Sequence, residues 1–106
     1  MRKFIYHSGK GQPTIYECEL VLVQPRPWEC KDDEQLYMVD APEQFKGEKW
    51  YSQFFYDTPE QCYQYAKEMM KVEVENSFRK KREILTEQML VEIITLKATT
   101  IRVEML

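Results

Sequence analysis

His7, three cysteines, a glycine–lysine turn and one run of basic residues are the side chains in this chain of 106 residues whose types can do chemistry. His7 is the only histidine. Beside Glu17 or Glu19 on a neighbouring strand it would form an acid–base pair, because imidazole titrates near neutrality and a carboxylate can orient it. No Ser-His-Asp or Cys-His arrangement can be placed from spacing. Asp32-Asp33 lies in a polar stretch with nothing apolar to raise a carboxyl pKa.

Cys18, Cys30 and Cys62 contain no Cys-x-x-Cys pair. Together with His7 their spacings fit no standard zinc pattern. An odd count argues against a disulfide framework and for a reducing compartment. Cys18 and Cys62 therefore read as small buried hydrophobes. Ser8-Gly9-Lys10-Gly11 lacks the full phosphate-loop pattern and no helix follows it, so it reads as a hairpin turn. No metal, no cofactor and no enzymatic activity are expected.

Arg79-Lys80-Lys81-Arg82 is the one basic run. On a helix its side chains point in nearly four directions, and Glu75 stands four residues before Arg79, the favourable order for a pair. The run reads as a solvated helix face, or as an anion site where oligomer symmetry gathers several copies. Trp28, between Pro27 and Glu29, either folds back as a lid or stands out as an interface anchor. Trp50 and Tyr51 open an aromatic cluster with Phe54, Phe55, Tyr56, Tyr63 and Tyr65, which reads first as core and otherwise as a stacking surface. Trp28, Arg79, Lys80, Arg82, Trp50 and Tyr51 are thus the candidate ligand- or partner-binding residues.

The elements that must position them follow from patterning. Hydrophobic residues are 43 % and charged residues 31 %, with a net charge of −3. This is one globular domain, too mild in charge for a strongly basic nucleic-acid binder or an acidic DNA mimic. No apolar run approaches the ~20 residues of a membrane span, and the first residues form no signal-peptide core. Residues 1–57 read as mainly β. Residues 4–6 form a short strand, and residues 14–23 the clearest one, with Tyr16, Cys18, Leu20 and Leu22 on one face and Glu17 and Glu19 on the other. Its far end reads as covered on both faces. Residues 35–39 and 49–56 read as two further strands. In the last, alternation sets Trp50, Phe54 and Tyr56 against Tyr51 and Phe55.

Residues 58–106 read as mainly α. Thr58, Pro59 and Gln61 form a capping box that starts a helix. A single helix to residue 98 would be about 60 Å long, far beyond a compact domain of this size. It either breaks near Asn76-Ser77 and folds back, or projects and is covered by another chain. Residues 84–96 are apolar around most of the helix circumference, which calls for burial on all sides. Leu85, Met89, Leu90, Ile93 and Ile94 are the expected homo-oligomer interface. Leu85, Met89, Glu92 and Leu96 approach a heptad seam that Glu92 spoils. Residues 99–106 read as a last strand or a frayed helix end.

The fold class is α+β: about four antiparallel strands, then a long helix or helical hairpin, in a single domain over residues 1–106. The expected function is that of a small, cytoplasmic, non-enzymatic binding protein. As a homo-oligomer it would capture or inhibit a partner protein or sequester a small anionic ligand. Its character is that of a phage-type inhibitor, which would act in the host cytoplasm. The alternative is nucleic-acid binding through residues 79–82; membrane association is not expected.

Overall fold

Strand alternation in the first half and helical spacing in the second produce an α+β fold. The structure, a computed structural model, describes residues 1–8, 12–24, 26, 28 and 35–106. Strands β1 (Arg2–His7), β2 (Thr14–Val23), β3 (Leu36–Ala41) and β4 (Lys49–Tyr51) pair antiparallel in the order β1-β2-β3-β4. The expected turn at 9–11 and most of the loop at 25–34 lie outside the described residues.

The sheet curls. Tyr56, five residues past β4, exchanges two backbone hydrogen bonds with Phe4 of β1, each 2.8 Å. The two edges of the sheet are thereby drawn toward each other. The inner face buries Ile5, Cys18, Leu20, Tyr37, Val39 and Phe55, with Tyr16 and Trp50 against them. Phe45, from a short 3-10 turn at Glu43–Phe45, plugs this face. The outer face carries Phe4, Tyr6, Ile15 and Tyr56 against Cys62 and Tyr63 of the first helix. Burying each large apolar side chain is worth about 1.5–3 kcal/mol, so both faces hold the sheet together.

Two strand readings need correction. Val21 and Leu22 are exposed, not covered on both faces. Strand β1 pairs with β2 only as far as Glu19, so β2 outruns its neighbour there. The strand expected over 49–56 stops at Tyr51, where a 3-10 turn at Ser52–Phe54 follows. That turn resets the alternation and returns Phe55 to the inner face beside Trp50, with ring centroids 5.8 Å apart.

Helix α1 (Pro59–Lys81) starts at the expected capping box. Thr58 Oγ1 accepts from the Gln61 N–H at 3.2 Å, and Gln61 Oε1 accepts from the Asp57 N–H at 3.2 Å. Cys62, Ala66, Met70 and Val74 recur every four residues and form its buried stripe. Asn76 and Ser77 do not break it. Each costs less than about 0.7 kcal/mol inside a helix, and the half-buried Phe78 prolongs the packing beyond them. The chain turns at Arg82, which is left-handed with φ 56°. The Arg82 N–H donates to the Arg79 carbonyl at 3.1 Å and the Glu83 N–H to the Phe78 carbonyl at 3.0 Å, a Schellman closure normally made by glycine.

Helix α2 (Glu87–Ala98) then runs back along α1, capped by Thr86 Oγ1, which accepts from the Met89 N–H at 3.2 Å. It packs on α1 rather than on the sheet. Tyr63 Oη donates to the Ala98 carbonyl at 3.3 Å and ties its far end. Residues Arg102–Glu104 form β5, which joins β2 in parallel at Thr14–Tyr16, on the edge that β3 leaves free. Of residues 99–106, those at 102–104 are therefore strand.

The hairpin projects. The radius of gyration is 16.3 Å and the long axis 48 Å, against about 13 Å for a compact domain of this length. The helix thus folds back as a hairpin, at Arg82 and not at Asn76-Ser77, and the hairpin still stands out from the body.

Left-handed backbone costs a non-glycine residue roughly 1 kcal/mol. Arg82→Gly is expected to raise the thermal midpoint by about 4–8 °C, read by far-UV circular dichroism. An unchanged or lower midpoint would show that Arg82 contributes more than its backbone costs.

Candidate functional site

The register separates the residues of the expected acid–base pair. His7 stands opposite Thr14, while Glu17 stands opposite Phe4 and Glu19 opposite Arg2. Paired residues share a face and neighbours alternate, so His7 and the two carboxylates lie on opposite faces of the sheet. His7 is exposed at the rim of the inner face, its ring centroid 5.3 Å from Phe45 and 6.4 Å from Tyr16. Both carboxylates have partners of their own. Glu19 accepts from the N-terminal ammonium at 2.7 Å and from Arg2 Nε at 3.2 Å. The ammonium hydrogen bond holds its carboxyl below the usual carboxylate range. Glu17 is 8 % exposed, accepts from the Leu106 N–H at 3.1 Å and lies 3.6 Å from Arg2.

Cys18 and Cys62 are fully buried and free, as small hydrophobes. Burial pushes the Cys18 thiol up to about 11 and the Cys62 thiol up to about 12. Among the described residues no cluster of His, Cys, Asp and Glu can hold a metal ion. Cys30 and Asp32-Asp33 lie outside the described residues.

The aromatic cluster is divided between core and rim. Trp50 is half-buried, with ring centroids 5.3 Å from Phe45 and 5.8 Å from Phe55. Tyr51 is half-buried opposite Leu36. Trp50 packs on the inner face, and Tyr51, its neighbour on β4, lies on the opposite face. Trp28 is 76 % exposed with the Arg26 guanidinium 5.7 Å from its ring centroid, so it stands out and does not form a lid.

Arg79, Lys80, Lys81 and Arg82 are all exposed at the tip of the hairpin. Three of them occupy the last turn of α1, where the helix dipole favours positive charge. No carboxylate approaches any of the four within ion-pair distance among the described residues, so the expected Glu75–Arg79 pair does not form. This tip lies beyond Val74, the last buried residue of α1, whereas Trp50 and Tyr51 are on β4.

The residues expected at an oligomer interface divide by their direction on the hairpin. Leu90 is buried against the chain's own α1, and Ile94 lines the groove between the two helices. Leu85 and Ile93 are half-buried, and Met89 is exposed. Two residues of the same apolar segment are far more open. Ile84 is 86 % exposed and Leu96 is 73 % exposed. The interhelical groove, with a volume of about 400 Å³, was not legible from the sequence. Its floor is Leu90, Val91, Ile94 and Ala98, and Lys67 and Lys71 stand on its rim with Glu68 and Glu87. Lys67 stacks over Tyr63 with its ammonium 5.3 Å from the ring centroid. The spacing of Tyr63, Lys67 and Lys71 at i, i+4 and i+8 was the signal for that rim.

Geometry thus defines an α+β domain with a projecting helical hairpin that carries part of its open apolar surface. Compared with known protein families, with curated proteins and with solved structures, the chain matches none. Among the described residues no helix is long and apolar enough to cross a membrane.

A thiol of pKa about 11 is only about one part in a thousand thiolate at pH 8, and the thiolate is the nucleophile. Iodoacetamide at pH 8 is therefore expected to leave Cys18 and Cys62 unmodified in the native protein and to alkylate both in denaturant. Peptide mass mapping reads the outcome. Rapid native alkylation of either would show that its element opens freely.

Proposed function

We propose that this chain is a small, non-enzymatic binding protein that works as a homo-oligomer. The hairpin assembles it, and the assembled protein captures a partner protein or a small anionic ligand. The observation that carries this reading is the uncovered apolar surface of α2 and the hairpin tip. Ile84 is 86 % and Leu96 73 % exposed, and Met89, on the same flank of α2 as Leu96, is 38 % exposed. A standard interface buries about 800 Å² per partner, somewhat over half of it apolar, and these residues would supply part of one side. The small size and motif-free sequence agree with a cytoplasmic inhibitor or sequestering protein of the phage type, by analogy of character alone.

The second reading is nucleic-acid binding. It rests on four exposed cations at one tip, none with a carboxylate partner in its own chain among the described residues. Four phosphate contacts would lower affinity by roughly 100-fold between 50 and 200 mM salt. Replacing Arg79, Lys80, Lys81 and Arg82 by Ala is then expected to abolish retention on a DNA column. Unchanged retention would refute this reading.

Native mass spectrometry beside the denatured mass tests the first reading. A defined oligomer is expected, and Leu96→Glu combined with Ile84→Glu is expected to give a monomer with an unchanged circular dichroism spectrum. Extra mass released on denaturation would identify a small ligand. A wild-type monomer at about 100 µM would overturn the proposal.

A further inference from the structure

Resting on the reading of the chain as a homo-oligomer, we infer that α2 pairs in parallel with α2 of a second copy. The pairing runs along a seam formed by Met89, Ile93 and Leu96. These residues recur at i, i+4 and i+7, the spacing of consecutive d, a and d positions in a heptad. They lie on one flank of α2, beside the stripe of Leu90, Ile94 and Ala98 that faces α1. Met89 and Leu96 are exposed and Ile93 is half-buried, so α1 leaves this flank open. The seam expected through Leu85, Met89, Glu92 and Leu96 is therefore shifted by one residue. Ile93 occupies the seam, and Glu92 moves to its border.

That shift turns the charge of Glu92 from an obstacle into a specificity element. With Ile93 at a and Leu96 at d, Glu92 falls at g and Lys97 at e of the following heptad. In a parallel pair each g residue faces the e residue five positions on in the partner. Glu92 then meets the partner's Lys97, and Lys97 meets the partner's Glu92. An antiparallel pair would set Glu92 near the partner's Glu92, like against like. Both charges are available. Glu92 and Lys97 are exposed, and neither lies in an ion pair of its own chain among the described residues. Among the described residues Glu92 makes one hydrogen bond, a long one of 3.4 Å from Gln88 Nε2. Lys97 lines a small cavity with Tyr6, Ser8 and Glu73 without reaching the carboxylate.

The remaining polar residues agree with this arrangement. Gln88, Glu92 and Thr95 occupy the narrow polar arc of α2, the side that keeps water once α1 covers one face and a second copy the other. Ile at a with Leu at d favours two strands over three or four. The second copy is thus a dimer partner, and the two-fold axis runs along the hairpins. Both basic tips come to the same end of the dimer, and both sheets come to the other.

Sedimentation velocity and cysteine cross-linking test the seam. Glu92→Lys and Lys97→Glu are each expected to weaken the dimer about tenfold, since two attractive pairs become two repulsive ones. An equimolar mixture of the two variants is expected to form a heterodimer of wild-type affinity, because every cross-pair is then complementary. With Cys30→Ser as background, Leu96→Cys is expected to form a covalent dimer under oxidised glutathione, because a parallel d position faces itself across the axis. Gln88→Cys, on the polar arc, is expected to remain uncrosslinked. A wild-type dimer that ignores the charge reversals and does not cross-link through Leu96→Cys would overturn this seam and leave self-association standing. A wild-type monomer would overturn both.

Discussion

The backbone bridge between Phe4 and Tyr56 is the constraint on which the rest of the architecture depends. It closes the curl of the sheet and assigns the aromatic side chains to their faces. The inner face becomes a packed aromatic column sealed by Phe45, with no space for a helix. The helices are left with the outer face. The bridge also fixes the point from which α1 departs, because the capping box at Thr58 follows two residues after Tyr56. A helix anchored at its first turns and stabilised by good helix formers continues past the edge of the sheet that anchors it.

The hairpin is the consequence. Beyond Val74, α1 has no further buried residue, and α2 touches α1 in place of the sheet. A helix that is apolar over more than half its circumference and supported on one side only leaves water against hydrocarbon, which is unfavourable in proportion to the area. The basic last turn of α1 and the mixed charges along the groove give the projecting arm charge without covering that apolar surface. His7 and the acidic residues of β2 lie on opposite faces of the sheet, and the two thiols are buried.

The class of fold and the start of α1 were legible because local rules decide them. Period-two alternation marks β2, and Thr58, Pro59 and Gln61 satisfy the helix N-terminus with their own atoms. The length of α1 was not legible, because Asn76 and Ser77 are weak breakers and tertiary contact through Phe78 outweighs them. The end of the strand at Tyr51 was not legible either. A three-residue 3-10 turn leaves no compositional mark, yet it reverses the parity of every side chain after it. At the hairpin, the apolar character of residues 84–96 was plain. Which part of it faces α1 depends on how the chain turns at Arg82, and that turn is made by a residue with no preference for it. The oligomer candidates accordingly mixed residues buried inside the chain, such as Leu90, with residues open to solvent, such as Met89.

Strand β5 adds a temporal requirement to this architecture. It supplies the parallel partner for Thr14–Tyr16, and that partner comes from residues near the opposite end of the sequence. Until residues 102–104 have been synthesised, this stretch of β2 has an unpaired edge, with backbone donors and acceptors open to pairing with another chain. The β1–β2 hairpin can form early from local contacts, whereas sealing its second edge requires closure of a loop that spans almost the whole described chain. A nascent chain on the ribosome therefore carries an open template throughout the synthesis of both helices, and the last short strand ends that exposure.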